Sequence, residues 1–327
     1  MAGRRPARPR GRRARGRTGS PAQARRRCTP CARARRGAPL IYVLLLLLVT
    51  AVWGWTFVLV KDAISQYPTL PFLAIRFAIA ALVMVAVARR LPSRRVLLVG
   101  IPIGLALTAG YLLQTVGLQS TSPGNAGLLT GLFVILTPLL DGLLGARIPG
   151  RTFAAACCAL VGIALLTGSG FSLPKVGDLL VIGCALAFAL HIVLLGRWAP
   201  GLPPAPLALV QMLVAAVLFS AGSVASFSRP SPSVWFALVV TGVFASAVGF
   251  LIQTWAQTKI SASRTALILA TEPAWALLAA IALAGQRLNG VQGAGAGLVL
   301  LAIIGHEVVG AAIARAARAE PRGERPS

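Results

Sequence analysis

Of 327 residues, 57% are apolar and only 12% are charged, and a mean hydropathy of +0.79 excludes an ordinary soluble domain of this size. A net charge of +25 would suit a nucleic-acid binder if it covered a folded surface, but 14 of the 32 basic residues lie in the first 36 positions, outside the apolar body. The composition is that of an all-α polytopic membrane protein with no nucleic-acid partner.

Residues 1–38 are built from Arg, Pro, Gly and Ala, with too little apolar content to offset the entropy of ordering. We expect a disordered basic cytoplasmic tail, drawn to anionic lipid by about 1 kcal/mol per basic residue near the surface. An extension without function is the competing reading. Cys28 and Cys31 have the spacing of half a zinc site, but no second pair lies nearby, so no metal is expected. Cys157, Cys158 and Cys184 sit in apolar runs and read as packing residues.

Pro39–Lys61 has an apolar region far longer than that of a signal peptide and is expected to remain as the first membrane helix. Nine further runs follow, at 69–88, 96–119, 122–144, 152–169, 176–198, 204–227, 233–258, 262–283 and 290–313, making ten spans. With the arginine-rich terminus inside, the external loops hold only Lys61, Lys175, Arg229 and Arg287. Arg89, Arg90, Arg94, Arg95, Arg147, Arg151, Arg197, Lys259 and Arg264 fall in cytoplasmic ones. Both termini are therefore expected in the cytoplasm, in a multi-pass protein of the plasma (inner) membrane.

In the 262–283 run, Glu272 falls near the bilayer midplane, where a charged side chain costs about 3 kcal/mol to insert. Pro273 lacks an N–H and crowds the carbonyl of Leu269, so a kink is expected beside the carboxyl. Glu272 is the leading candidate for coupling or substrate recognition, paired either with Arg76 or with an amine on the substrate. A protonated carboxyl bonded to the carbonyl freed by Pro273 is the bland alternative. Arg76, two turns inside span two, either binds an anionic group or snorkels to the interface. His191, mid-way along span six, either titrates in function or is a hydrogen-bonded packing residue. Gln114, Asn125 and Gln253 would each be worth about 1 kcal/mol as interhelical bonds even without a ligand. Trp53 and Trp55 line a cavity, or else are packing residues or outer-leaflet anchors. Asp141 and His306-Glu307 lie near span ends, where water and headgroups relieve the cost of charge, and read as structural. Gly127 and Gly131 in span four, and Gly293, Gly295 and Gly297 in span ten, would allow close helix contact.

The two halves repeat. At an offset of 135 residues Trp53-Gly54 meets Phe188-Ala189, Pro71 meets Pro206, Arg76 meets Gln211 and Pro138 meets Pro273; around the third helix of each half the offset is 139, matching Gln114-Thr115 to Gln253-Thr254 and Ser122 to Ser261. With the extra turn given back before the prolines, Thr137 is the counterpart of Glu272, and Pro138 and Pro273 mark matching kinks. Each half holds five spans, an odd number, so the second lies upside down relative to the first. The expected divisions are the tail, a first repeat over 39–169, a second over 170–313 and a cytoplasmic C-terminal tail over 314–327.

No His/Asp/Glu cluster of metal-ligand spacing, no G-x-S-x-G elbow and no phosphate-cradling loop occurs, which argues against an enzyme, a bound cofactor and ATP drive. An intramembrane lipid-modifying enzyme and a passive channel remain as alternatives to a carrier. The stretches WGWTFVLVK at 53–61, LAIRFAIAALV at 73–83, LLQTVGLQSTSPGNAGLLTGLFVILTPLL at 112–140, GDLLVIGCALAFALHIVLLGRWAP at 177–200 and LIQTWAQTKISASRTALILATEPAWALL at 251–278 resemble the drug/metabolite transporter superfamily, in its EamA-type group of ten-helix carriers. The resemblance implies a secondary active transporter, mostly of the export type, for an amino acid or other small metabolite. It also implies a central cavity between the halves; inverted repeats with a polar site at their interface suit alternating access, and Glu272 at the midplane suits coupling to protons. Gly285-Gln286-Arg287 departs from it, since the family usually has Glu after the Gly.

Overall fold

The computed structural model describes residues 40–121, 123–167, 176–223, 227–275, 278 and 289–319; the basic tail and Gly285-Gln286-Arg287 lie outside them. Among the described residues α1 is Leu40–Gln66, α2 Thr69–Ala88, α3 Arg94–Ser120, α4 Pro123–Gly131, α5 Phe133–Leu143 and α6 Gly150–Thr167. In the second half α7 is Val176–Trp198, α8 Pro204–Ser223, α9 Pro232–Val240, α10 Gly249–Gln257, α11 Ala262–Leu269 and α12 Gly290–Ala319. Nothing removes a backbone donor between Leu40 and Pro68, so α1 runs more than a turn past Lys61. Lys61 is thus a helix residue rather than a loop residue, and its Nζ donates to the carbonyls of Leu118, Gln119 and Thr121 at the end of α3. Caps sit where the sequence changes character: Ser93, Ser231 and Ser261 accept through Oγ from Val96, Val234 and Arg264 N–H, each at 3.4 Å. Arg89 closes α2 in the left-handed conformation, at φ 52°.

Three spans are irregular. Span four is α4 and α5, separated at Leu132. Span eight is α9 and α10 joined by a π-helical segment over Thr241–Val248, a rare geometry that often marks functional sites. Span nine pauses at Ala270 and Thr271 and resumes at Glu272. Six helical spans among the described residues are individually long and apolar enough to cross a bilayer, at mean hydropathies of 2.0 to 2.6. Span four, α6 and α12 contribute shorter apolar stretches.

The described helices make up ten spans in two five-helix repeats of opposite orientation. Their packing shows the pseudo-symmetry. Equivalent helices pair across the repeats, α2 along α8, α6 along α12 and α5 against α11, while the contact of α3 with α7 is matched by that of α10 and the π segment with α1. Between lipid-immersed helices the hydrophobic effect supplies little, so the closeness of packing decides. A methyl group at Gly162 would stand 2.8 Å from the Gly295 carbonyl oxygen and 2.9 Å from the Val299 nitrogen. At Gly117 it would stand 2.7 Å from the Gly177 carbonyl, and at Gly100 2.7 Å from Val210 Cγ1. Of the glycines singled out in spans four and ten, Gly127, Gly293 and Gly297 face nothing within 4 Å among the described residues, whereas Gly131 meets Ile163 at 3.0 Å. Small residues cluster in both spans, but only the face turned to a neighbour uses them. The outward faces carry exposed Leu82, Val217, Leu301 and Val308, the surface that lipid covers. Cys157 is on that face too, so of the three cysteines read as packing residues Cys184 is buried, Cys158 half-buried and Cys157 exposed.

Candidate functional site

A cavity lies among spans one to four of the first repeat and spans six, eight and nine of the second. Its walls are aromatic. Trp53 stacks on Phe250 at 5.2 Å between centroids, and Tyr111 meets Phe188 and Phe250 edge-on at 5.4 and 5.9 Å. Trp53 is held by a 2.7 Å hydrogen bond from Nε1 to the carbonyl of Ala245, within the π segment. Gly249 makes room, since a methyl there would lie 2.9 Å from Nε1. Trp53→Phe keeps an aromatic ring against Phe250 but removes the donor and the second ring of the indole; we expect about 1–3 kcal/mol lower stability in thermal unfolding of the solubilised protein. Trp55, two residues on, is 37% exposed and is not part of the cavity wall.

Arg76 does not snorkel. It is 3% exposed and lines the cavity from α2. Its Nε donates to Ser246 Oγ at 2.9 Å and its Nη2 to Tyr111 Oη at 3.3 Å, with the guanidinium 4.7 Å from the Tyr111 ring centroid. Arg76 makes no ion pair with any described carboxylate. Ser246 is presented by the π segment, and a methyl on Gly242 would lie 3.0 Å from the Arg76 carbonyl, so spans two and eight touch through a glycine here.

Glu272 lines the same cavity from the point where span nine resumes. The break ahead of it is well satisfied. Thr271 N–H and Oγ1 both donate to the Ile268 carbonyl, at 3.2 and 2.8 Å, and Thr50 Oγ1 of α1 lies 2.9 Å from Thr271 Oγ1. Pro273 falls in the first turn of the new helical stretch, where its missing N–H removes no bond. The carboxyl itself has neither a hydrogen bond nor an ion pair among the described residues, so neither the pair with Arg76 nor the bond to a freed carbonyl is formed.

His191 and Gln211 form a buried link between α7 and α8, Nε2 to Oε1 at 2.9 Å, and Gln211 Nε2 donates onward to the Leu207 carbonyl and to Thr254 Oγ1. Because the Gln211 amide nitrogen faces those two acceptors, its oxygen accepts a hydrogen bond donated by His191 Nε2–H. Gln114 lines the cavity and donates to Thr130 Oγ1 of α4 at 3.4 Å; Gln253 lines it from α10. Asn125 belongs to the first turn of α4, and its side chain lies outside the described ones.

Thr137 is fully buried away from the cavity, with Oγ1 donating to the Phe133 carbonyl at 2.7 Å. The interruption of span four falls at Leu132, six residues before Pro138, which is carried inside α5. With the offset of 139 continued through the breaks, Leu132 meets Thr271, Thr130 meets Leu269 and Phe133 meets Glu272, and the last two pairs all line the cavity. The extra turn is therefore given back after the break, not before it, and the place of Glu272 is filled in the first half by Phe133. At the end of span four Asp141 is held by Arg197 of α7, Nε and Nη2 each 2.8 Å from Oδ1. His306 meets Thr152 Oγ1 at 3.3 Å, while the Glu307 side chain lies outside the described ones.

A model of the EamA-like transporter family matches this chain twice, over residues 40–168 and 175–306. The chain belongs to the EamA-like transporter family. It is similar to an uncharacterized transporter of Archaeoglobus fulgidus, 33% identical over 263 residues that make up 79% of this chain and 83% of the relative. It is also similar to the uncharacterized transporter YyaM of Bacillus subtilis, 28% identical over 277 residues, and to the uncharacterized inner membrane transporter YedA of Escherichia coli, 24% identical over 265 residues. These matches cover 77% of this chain in both cases, and 88% and 86% of the relatives. A solved crystal structure shares the fold at a TM-score of 0.69, 22% identity, 81% of this chain and 96% of its own. Membership in the EamA-like family makes this a multi-pass membrane transporter rather than an enzyme, with a small molecule as its cargo.

The single polar residues do not account for the aromatic and hydroxylic parts of this EamA-like cavity, Tyr111, Phe188, Phe250 and Thr130, nor for Ser246, which lies behind Arg76 and holds it. The repeat contains a signal for most of them. The offsets that align Trp53 with Phe188 and Gln114 with Gln253 also align Thr56 with His191 and Tyr111 with Phe250, and every one of these residues faces the cavity. Ser246 has no such signal, because its direction depends on the π geometry.

Proposed function

We propose that this EamA-like protein is a secondary active transporter that exports a small metabolite, such as an amino acid or a drug-like compound, across the plasma membrane by alternating access, coupled to protons through Glu272. The observation that carries the reading is a carboxyl without a partner, in a cavity bounded by both inverted repeats, with the Arg76 guanidinium in the same cavity and unpaired to it. A carboxylate without a partner at membrane depth is costly, so the group is stable either protonated or holding a cationic substrate. Exchange between those two conditions is what couples proton and substrate movement, while Arg76 and Tyr111 offer donors to an anionic group. The aromatic walls supply apolar contact for the body of the molecule.

Flux of a metabolite panel into proteoliposomes under an imposed proton gradient tests this. Accumulation above the equilibrium level, collapsing with the gradient, is the expected result. Equilibration without accumulation would indicate a channel, and chemical conversion of a lipid or solute an enzyme.

The orientation proposed with this function has both termini in the cytoplasm, with the basic tail against anionic lipid. In a chain cleared of its own thiols, a cysteine placed at exposed Ser231 should react in intact cells with an impermeant maleimide, and one at exposed Lys259 should not. The opposite pattern would invert the topology.

A further inference from the structure

Gln253 is 1% exposed and lines the cavity, yet its Oε1 has no hydrogen-bond partner among the described residues. Buried amide oxygens are seldom left without a donor, and each one so left costs as much as a lost hydrogen bond. The direction of this oxygen is fixed by its neighbours. Gln257 Nε2 donates to the Ile192 carbonyl of α7 at 2.8 Å, and a carbonyl can only accept, so the oxygen of Gln257 must face the other way. There it accepts from Gln253 Nε2 at 3.0 Å, one turn back along α10. Turning the Gln253 amide over would set two oxygens against each other. The relay from Ile192 through Gln257 thus holds Gln253 Oε1 as a bare acceptor. In the other repeat the matching amide of Gln114 is engaged with Thr130.

We propose that Gln253 Oε1 is a specificity-determining acceptor that recognises an N–H of a primary ammonium group on the transported molecule, and that Gln257 is the positioning residue that keeps it aimed. The choice of a cationic donor rests on the reading of Glu272 as the unpaired carboxyl of the same cavity. Charge is recognised at Glu272 and the presence of an N–H at Gln253, so the two roles separate experimentally.

The test uses the full chain in lipid nanodiscs and two probe ions, benzylammonium and benzyltrimethylammonium, measured by equilibrium dialysis against empty nanodiscs. The ions share a ring and a charge, and only the first has N–H groups. Wild-type protein should prefer benzylammonium by about tenfold, the scale of one hydrogen bond to a buried acceptor. Gln253→Met and Gln253→Asn should each erase the preference by weakening benzylammonium alone. Their bond to Gln257 lies within one helix, so its loss separates no spans, and unchanged binding of the quaternary ion shows that the cavity is intact. Gln257→Met, outside the cavity, should reduce the preference by releasing the amide of Gln253. Glu272→Gln should weaken both ions alike; unchanged affinities there would refute the role of Glu272 and leave the Gln253 result standing. Equal affinities in wild type, no binding of benzylammonium, a preference that survives both Gln253 substitutions, or loss of both ions in both of them would each overturn the proposal.

Discussion

Glu272→Gln is expected to reduce proton-driven accumulation to the leak rate and to remove its dependence on the imposed gradient, while the protein still inserts and elutes as a folded species. The amide keeps the shape of the side chain and cannot exchange a proton, and because the carboxyl has no partner among the described residues, no network is broken by the change. Thr137→Val is the contrasting substitution. Its hydroxyl donates to a carbonyl one turn back in its own helix and does not face the cavity, so flux should be unaffected. The measurement is initial rate and final accumulation in proteoliposomes across a series of internal and external pH values. A Glu272→Gln protein that accumulates substrate with an unchanged pH profile would place coupling elsewhere.

Gly162→Leu should be the most damaging change outside the cavity. The first added carbon already lies within 2.9 Å of backbone atoms of Gly295 and Val299, and backbone cannot swing aside as a side chain can. The whole contact of α6 with α12 must open, with a cost at or above the usual overpacking range of about 1–3 kcal/mol. Gly293→Leu, in α12 but facing nothing within 4 Å among the described residues, is the control and should be close to neutral. Thermal unfolding followed by fluorescence-detected size exclusion distinguishes the two. Equal midpoints would mean that α6 and α12 are not held together at Gly162.

Much of this architecture was legible because a bilayer forces it. Runs such as 69–88 and 176–198 match their helices end for end, since Pro68, Arg89 and Trp198-Ala199-Pro200 mark where apolar helix can no longer continue. The cavity was legible where chemistry is costly: Glu272, Arg76, His191, Gln114, Gln253 and Trp53 all face it. Less legible was anything that depends on where a helix is interrupted. No residue type announced the break of span four at Leu132, six residues before Pro138, and the pairing of Thr137 with Glu272 followed from aligning prolines rather than breaks. A proline shows where a donor is missing. It does not show where neighbouring helices leave room for the chain to turn, and at Thr271 that room is occupied by the Thr50 hydroxyl of a span more than two hundred residues away.

Span eight also bears on how a helix can accommodate an added residue. Its counterpart, α3, is regular from Arg94 to Ser120, whereas span eight carries eight residues in wide π turns. Measured from the capping serine to the cavity glutamine, Ser93 to Gln114 in the first half and Ser231 to Gln253 in the second, span eight holds one residue more; the rest of the rise in offset from 135 to 139 lies in the loop before it. A helix held at one end by the Ser231 cap and at the other by the bond from Gln257 to Ile192 cannot take in an added residue by rotating everything beyond it by about 100°. It widens locally instead. The Thr241–Val248 segment has the form of one residue absorbed into a helix fixed at both ends, and deleting one residue within it should restore α-helical turns without moving Gln253 off the cavity. The cost of such a deletion would fall on Arg76 and Trp53, whose partners Ser246 and Ala245 are held in place only while the extra residue remains.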